Sequence, residues 1–229
     1  MLRDTECIIH CVDTYFYGKP TNTVFSVDSI IENEAIIGAK RMMNDHYGNR
    51  YSHIPPHLSY AIVPFPEFNF EKAKAALLAY IKQQKPYTLE FSDLKYDEKN
   101  NLFSVEVLGK DIRKLHEDIN NLLNAYRDNC VRAKDLERVN SGHFSQKELE
   151  YLNKYGYARV FECFKPHISI GNFTIQDVDV KKLTKTLKSL LSSVLNKSVV
   201  LNNIHAVFHT DAVNQLDMKV IWEDTFTLL

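Results

Sequence analysis

Hydrophobic and polar positions follow two periods along the first half of the chain. Residues 57–63, 87–94 and 102–108 alternate in the manner of half-buried β-strands. Apolar residues recur at helical spacing over 70–84 and 111–126, with lysines and acids between them. This pattern predicts the order strand, helix, strand, strand, helix.

The same order returns in the second half of the chain. A strand-like run at 167–170 is followed by an amphipathic helical pattern over 178–195. Residues 198–208 and 216–228 then predict a closing pair of strands. Such a repeat indicates a duplicated α+β architecture. We therefore expect two pseudo-symmetric lobes, each an antiparallel sheet with helices packed outside, and an active-site groove between the lobes.

A segment before the repeat, residues 1–51, has its own pattern. It contains a strand-like run at 7–12 and a helical pattern over 28–45. Asp28 is the expected N-cap of that helix, and Gly48 follows its end. We expect one of these two elements to complete the first sheet.

A second segment outside the repeat, residues 127–157, is polar and rich in charges of both signs. Ser145 and Glu148 have the spacing of a capping box, which predicts a short helix. The segment is either a solvated helical excursion or a lid over the site, because its end leads directly into the strand at 167–170.

These patterns predict a single bilobal domain over residues 1–229. Its expected parts are an N-terminal extension (1–51), lobe one (about 52–126), an insertion (about 127–157) and lobe two (about 160–229). The composition agrees with one globular domain, since 45% of the 229 residues are hydrophobic and 25% are charged.

Charge and hydropathy narrow the classes of partner. A formal net charge of -1 lacks the basic excess of a protein that binds long duplexes, whereas a short substrate in a local basic cleft is compatible with it. No uncharged apolar run approaches the ~20 residues of a membrane span, and no signal-peptide core follows the N-terminus. We therefore expect a cytoplasmic monomer with no membrane partner.

Each unit opens with a matching tetrapeptide, His57-Leu58-Ser59-Tyr60 in the first and His167-Ile168-Ser169-Ile170 in the second. A proline precedes each histidine and favours an extended backbone. Because strand side chains alternate between faces, each histidine shares a face with its serine, and the apolar residues turn to the core. The sequence thus predicts two histidine–serine pairs that face one groove.

Two such pairs have the groups that phosphodiester chemistry uses. A neutral imidazole can take a proton from water or a ribose hydroxyl, and a protonated one can supply a proton to the leaving oxygen. Histidine suits both roles because its reference pKa is about 6.5. Serine hydroxyls can hold the non-bridging phosphate oxygens. No metal or other cofactor is required, and neither motif is accompanied by the His-Glu-x-x-His or Cys-x-x-Cys pattern of a metal site.

The tetrapeptides resemble the paired His-apolar-Ser/Thr-apolar motifs of the 2H phosphoesterase superfamily, which includes 2′-5′ RNA ligase-like proteins and cyclic phosphodiesterases. Residues 164–171, Phe-Lys-Pro-His-Ile-Ser-Ile-Gly, are especially similar to the second motif of that group. The resemblance extends from about Pro55 to the C-terminus, with serine where threonine is commoner. It implies that His57 and His167 are the acid/base pair, and that Ser59 and Ser169 bind the substrate phosphate.

The resemblance implies a metal-independent phosphodiesterase that cleaves 2′,3′-cyclic phosphates or 2′-5′ bonds. Its substrate would be a short RNA, an oligonucleotide or a cyclic nucleotide, and 2′-5′ RNA ligation is a possible reverse reaction. Lys165 and Arg159, near the second motif, are candidate substrate contacts. Two other interpretations stay open: a module that binds RNA ends or cyclic nucleotides without turnover, and an unrelated α+β scaffold in which the motif is accidental.

Two further groups of residues contain metal-ligand types. Cys7, His10 and Cys11 are close in sequence, but strand alternation turns His10 away from the cysteines, so buried reduced thiols are the simpler interpretation. His205 and His209 share a strand face but have few further ligands nearby. We therefore expect no metal site in either group.

The remaining histidines and aromatic residues favour structural roles. His116 lies within a predicted helix, and we expect it to be solvated. Tyr15, Phe16 and Tyr17 are of the types that stack on nucleobases in single-stranded RNA recognition, but packing is the simpler interpretation.

Overall fold

The structure is a computed structural model that describes residues 10–11, 14–15, 18–49, 54–211 and 218–229. The strands are β1 (His10–Cys11), β2 (Thr14–Tyr15), β3 (Lys19–Thr21), β4 (Thr23–Ile30), β5 (His57–Pro64), β6 (Tyr87–Asp97), β7 (Leu102–Leu108), β8 (Cys130–Arg132), β9 (His167–Asn172), β10 (Lys197–Leu201), β11 (Asn203–Thr210) and β12 (Val220–Thr227). The helices are α1 (Glu34–Tyr47), α2 (Phe70–Ile81), α3 (Lys110–Asn124), α4 (Ala133–Asn140), α5 (Gln146–Tyr155) and α6 (Val180–Leu190), with 3-10 turns at Glu67–Asn69 and Phe161–Cys163.

Most of these strands belong to one antiparallel sheet in the order β10-β6-β7-β9-β5-β4-β11-β12. Its two middle strands share the single register pair Leu58 and Ile168 within the described residues. The sheet therefore consists of two four-stranded antiparallel halves that meet at a narrow seam. The expected α+β class, with antiparallel sheets and helices packed against them, is confirmed.

The two halves exchange strands between the sequence units. The hairpin β6–β7 comes from the first unit but pairs with β9, and β11–β12 comes from the second unit but lies on the side of β5. From the N-terminal segment, β4 pairs with both β5 and β11 and completes the sheet half that carries the first motif. The expectation that the run at 7–12 or the helix does so is wrong, because β1 pairs with β2 in a separate sheet and the helix packs on the sheet face. Each half is thus built from distant parts of the chain.

The expected closing pair of strands is wrong in one respect. The apolar run at 198–208 is not one strand, because it breaks at Asn202 into β10 and β11. Only β11 pairs with β12, whereas β10 pairs with β6 at the opposite edge of the sheet. The break is held by the backbone, since the carbonyl of Asn202 accepts a hydrogen bond from the amide of Leu228 at 2.7 Å.

The expected helix start at Asp28 is also wrong. Asp28 lies inside β4, whose residues pair with strands on both sides. The helix α1 begins later, at the N-cap Asn33, whose side-chain oxygen accepts hydrogen bonds from the next-turn amides of Ala35 and Ile36. Its end is as expected, because Gly48 takes the left-handed conformation with φ of 64°. Pairing across the sheet overrides the capping preference of an isolated aspartate.

The helices bury one face of the sheet. Helix α3 packs on β5 and helix α1 packs on β9. Leu58, Tyr60, Ile168 and Ile170 are all buried in the resulting core. The apolar positions of both tetrapeptides therefore anchor the motif strands, as alternation predicts. None of the helices in the described part of the chain has the length and apolar character that a membrane crossing needs.

His116 is buried, and the expectation that it is solvated is wrong. Its Nδ1–H donates to the carbonyl of Tyr60, its Nε2 accepts from the amide of Phe161 at 2.9 Å, and its ring stacks on Phe164 at 3.7 Å. Burial lowers its pKa to about 3, so the ring is neutral. His116 thereby ties β5 to the segment that leads into β9.

The insertion forms a small helical unit with its own apolar cluster of Val131, Val139, Leu152 and Ala158. The capping box is confirmed, since Ser145 and Glu148 bond reciprocally at the start of α5. The buried guanidinium of Arg127 donates to backbone carbonyls of the insertion, at Cys130, Asn153 and Lys154. These bonds hold the two ends of the insertion together, and Nε of Arg127 donates to Oδ1 of Asn124 at the end of α3 at 3.0 Å.

Gly156, at the end of α5, lies close against β5 and β8. Its φ is +72°, and a Cβ there would lie 2.5 Å from Pro64 Cγ and 2.7 Å from the carbonyl oxygen of Cys130. We expect Gly156→Ala to lower the free energy of unfolding by about 2–5 kcal/mol, from the left-handed backbone and the clash together. Urea unfolding measures this loss.

Gly142 is the matched control, because its φ is +67° but no atom lies within 4 Å of the position that a Cβ would take. Gly142→Ala should cost about 1–2 kcal/mol, from the backbone alone. Equal losses for the two variants would show that the end of α5 does not pack closely against β5 and β8.

Candidate active site

Both tetrapeptides have the same pattern of burial. His57, Ser59, His167 and Ser169 are partly exposed, and the residue that follows each of them is buried. Since the helices cover the face to which Leu58 and Ile168 point, the histidines and serines lie on the open face of the sheet. The structure therefore brings the four predicted site residues to one face.

The seam between the sheet halves sets the spacing of these residues. With Leu58 opposite Ile168 in antiparallel register, Ser59 is the neighbour of His167, and His57 is the neighbour of Ser169. Directly opposite side chains in such a pair are roughly 4.5–5.5 Å apart at Cβ, and diagonal ones roughly 7–8 Å. The two histidines are diagonal neighbours in this register, and the charge of His57 acts on His167.

Each histidine ring is held in the same way by the residue two positions before it. Nδ1 of His57 lies 2.9 Å from the carbonyl oxygen of Pro55, and Nδ1 of His167 lies 2.8 Å from that of Lys165. A carbonyl oxygen only accepts hydrogen bonds, so Nδ1 carries the proton in both rings. Nε2 of each histidine is then the atom that can gain or lose a proton toward the open face.

The surroundings of His167 favour its neutral form. Burial lowers the pKa of this ring below its usual range, and the positive charges of Arg159 and protonated His57 lower it further. The hydrogen bond to the Lys165 carbonyl opposes these effects, but burial is the largest cause. His167 is therefore neutral near pH 7 and can accept a proton at Nε2.

The two candidate cations near the second motif differ in what the structure shows. Both Arg159 and Lys165 are exposed. The charge of Arg159 acts on His167, and it also acts on the carboxylates of Asp97 and Glu148. For Lys165, the backbone carbonyl is the group that contacts the site. A role of either side chain in binding substrate stays a prediction.

Sequence reasoning missed several polar residues that pair directly with motif residues across the neighbouring strands. Asp28 pairs with Ser59, and on the other side Ser104 and Glu106 pair with Ser169 and His167. Asp28 is buried, and its Oδ1 has no hydrogen-bond partner among the described residues. Alternation marks Ser104 and Glu106 as polar positions of β7, but only the strand order shows that they lie beside β9.

The candidate metal ligands His205 and His209 have other hydrogen-bond partners. Nδ1 of His205 lies 2.8 Å from Thr225 Oγ1, and Nε2 of His209 lies 3.0 Å from Ser26 Oγ. Over the described ranges, no group of three or more histidine, cysteine or acidic side chains is arranged to hold a metal ion. Cys7, most of the strand expected at 7–12, and the aromatic side chains at 15–17 lie outside the described residues.

Arg159 provides a test of the electrostatics around His167. Since its charge lowers the pKa of that ring, Arg159→Gln should raise the His167 pKa toward its usual range. Histidine-selective ¹H–¹⁵N NMR titrations measure the change. Arg138→Gln, which removes an exposed charge on α4, is the control and should leave the His167 pKa unchanged. An unchanged His167 pKa in Arg159→Gln would contradict the placement of this arginine.

Solved structures show how the chain relates to known folds. TT0787 of Thermus thermophilus matches with a TM-score of 0.52 and 11% identity, over 88% of this chain and 97% of that chain. E. coli LigT in complex with 3′-AMP has a TM-score of 0.45 and 13% identity, over 92% of this chain and 99% of that chain. Kluyveromyces marxianus Usb1 has a TM-score of 0.45 and 12% identity, over 91% and 99%. At such identities the likeness to TT0787 shows the fold alone.

Sequence comparison shows the family. No curated protein matches this chain. The model of a family described as "Protein of unknown function (DUF1045)" matches residues 66–216. This range includes the second motif and begins after the first one. Because the match covers about two thirds of the chain, the protein belongs to the DUF1045 family.

Proposed function

We propose that this protein is a metal-independent phosphodiesterase that cleaves 2′,3′-cyclic phosphates or 2′-5′ phosphodiester bonds of short RNA or nucleotides. The observation that carries the proposal is the matched pair of histidines at the seam. Each has its Nδ1–H bonded to a backbone carbonyl and its Nε2 available on one open face, with a serine beside it. A binding site alone does not need two rings that are both held at Nδ1 by a backbone carbonyl.

The lowered pKa of His167 supports the role of general base for this residue. Its neutral Nε2 takes a proton from the attacking water while the water oxygen forms a bond to phosphorus. His57, protonated at both nitrogens, gives its Nε2 proton to the departing ribose oxygen as the old phosphorus–oxygen bond breaks. The Pro55 carbonyl stabilises this imidazolium because it accepts the Nδ1 hydrogen bond.

Ser59 and Ser169 complete the site as hydrogen-bond donors. Each lies two residues after a histidine on the same face, and the register places each beside the histidine of the other strand. Their hydroxyls can donate to the two non-bridging phosphate oxygens, where negative charge increases in the transition state. This arrangement stabilises charge without a metal ion.

Substitution of the histidines tests the proposal directly. We expect His57→Ala and His167→Ala each to lower kcat on a 2′,3′-cyclic nucleotide by about 10²–10⁴-fold, because each removes one proton-transfer group. His46→Ala, at the exposed end of α1, is the control and should retain activity. Hydrolysis is measured by separation of the monoester product, with and without EDTA.

Two outcomes would contradict the mechanism. Loss of wild-type activity on addition of EDTA would show that a metal ion takes part. The alternative of a binding module without turnover would be favoured if the protein binds the cyclic and 2′-5′ substrates tightly but leaves all of them uncleaved, even at high protein concentration.

The pH dependence tests the assignment of the base. The rate kcat/KM should have a bell shape, since His167 must be neutral and His57 protonated. The acidic limb should lie below about pH 6.5, because burial and Arg159 lower the pKa of His167. In Arg159→Gln this limb should move to higher pH while the alkaline limb stays. Movement of the alkaline limb instead would assign the base to His57.

A further inference from the structure

A cavity of about 280 Å³ lies between α1 and the segment that leads into the first motif. It is lined by Ile37, Lys40, Arg41, Asn44, Ile54, Pro55 and Pro56. Two of these side chains are cationic, and none of the lining residues is acidic. The volume is at the small end for ligand sites, which suits a compact ligand rather than a whole nucleotide.

Lys40 is the unusual residue of this cavity. The residue is only 5% exposed, although lysine is almost never buried without a partner. Throughout the described ranges, no hydrogen bond or ion pair joins its ammonium group to another residue. Burial alone lowers its pKa to about 8, with no contribution from a neighbouring carboxylate. A charge held in this way is stabilised by an anion that enters the cavity.

Arg41 is the second cationic residue of the cavity and makes the space more favourable for an anion. Arg41 follows Lys40 in α1 and lines the same cavity, so two cationic residues border one space beside apolar walls. An oxyanion can accept hydrogen bonds from both groups, and Arg can bind it with two parallel bonds. Lys40 supplies a compact charge, as in many phosphate sites. The chemistry of the cavity therefore selects a small, multiply charged oxyanion.

The wall of the cavity is also part of the histidine site. Pro55 lines the cavity, and its carbonyl holds Nδ1 of His57 at 2.9 Å. The next carbonyl, that of Pro56, accepts the amide of Ile31 at 2.9 Å, which fixes the segment against the end of β4. A ligand in the cavity would thus border Pro55, which lies two positions before His57 in the chain.

We propose that Lys40 and Arg41 form a second phosphate-binding site at the start of the first motif strand, separate from the histidine site. The phosphate group is either free inorganic phosphate or a phosphate of the nucleotide substrate other than the one that is cleaved. The binding site itself does not depend on the proposed catalysis. Only its use by substrate rests on the proposed function.

Thermal unfolding with inorganic phosphate tests the site. The protein used is the quadruple variant His57→Ala/Ser59→Ala/His167→Ala/Ser169→Ala, called the motif-site variant below, which removes both imidazoles and both hydroxyls of the motif site, and chloride of equal ionic strength is the reference. We expect phosphate to raise the Tm of this variant, because a ligand that binds only the folded state stabilises it. Addition of Lys40→Met should reduce phosphate affinity roughly tenfold or more, as should Arg41→Gln.

Lys40→Met is expected to fold, because methionine retains most of the volume and removes a buried unpaired charge. Its Tm without phosphate should equal or exceed that of the parent. Lys72→Met, at an exposed position of α2, is the matched control and should keep the phosphate response. A phosphate response that survives in both Lys40→Met and Arg41→Gln, or that is absent from the motif-site variant, would overturn the proposal.

A second measurement identifies the source of the phosphate. Two 2′,3′-cyclic nucleotides, with and without a 5′-phosphate, are compared in the wild type and in Lys40→Met. If the substrate supplies the group, Lys40→Met raises KM only for the 5′-phosphorylated compound and leaves kcat unchanged. If KM is unchanged for both while the phosphate response is lost, the ligand is free phosphate. If neither compound is turned over, catalysis fails while the binding result still decides the site.

Discussion

The pairing of Leu58 with Ile168 is the contact on which the candidate site depends. It joins two antiparallel half-sheets and sets the register of their inner strands. Alternation then turns both apolar residues into the core beneath the helices, and both histidine–serine pairs to the open face. A shift of one residue in either strand would turn its histidine into the core. The buried side chains therefore specify the position of the polar ones.

Contacts away from the seam hold this register. His116, neutral and fully bonded, links the carbonyl of Tyr60 on β5 to the amide of Phe161, a few residues before β9. The strand β4 supports β5 from the other side, and β7 supports β9. The backbone carbonyls of Pro55 and Lys165 then fix both imidazole rings. Core packing and backbone hydrogen bonds thus determine the protonation pattern at the surface.

Local sequence patterns predicted the elements well and their partners poorly. Alternation and proline lead-ins located both motif strands, and the Ser145 capping box located α5, because these features act within a few residues. Asp28 was misassigned since its partners, Ser59 and His205, are distant in sequence. The exchange of β6–β7 and β11–β12 between the halves depends on which edges meet, and no periodicity encodes that. The burial of His116 likewise depends on tertiary contacts.

The central claim is that the two motifs form one site for one phosphate. Histidine-selective ¹H–¹⁵N NMR, with titration of a nucleoside 2′-monophosphate and, separately, a 3′-monophosphate, tests it most directly. We expect the Nε2 resonances of His57 and His167 to shift together with one dissociation constant, while both Nδ1 atoms stay protonated. Shifts of only one histidine, or two different dissociation constants, would contradict a shared site at the seam.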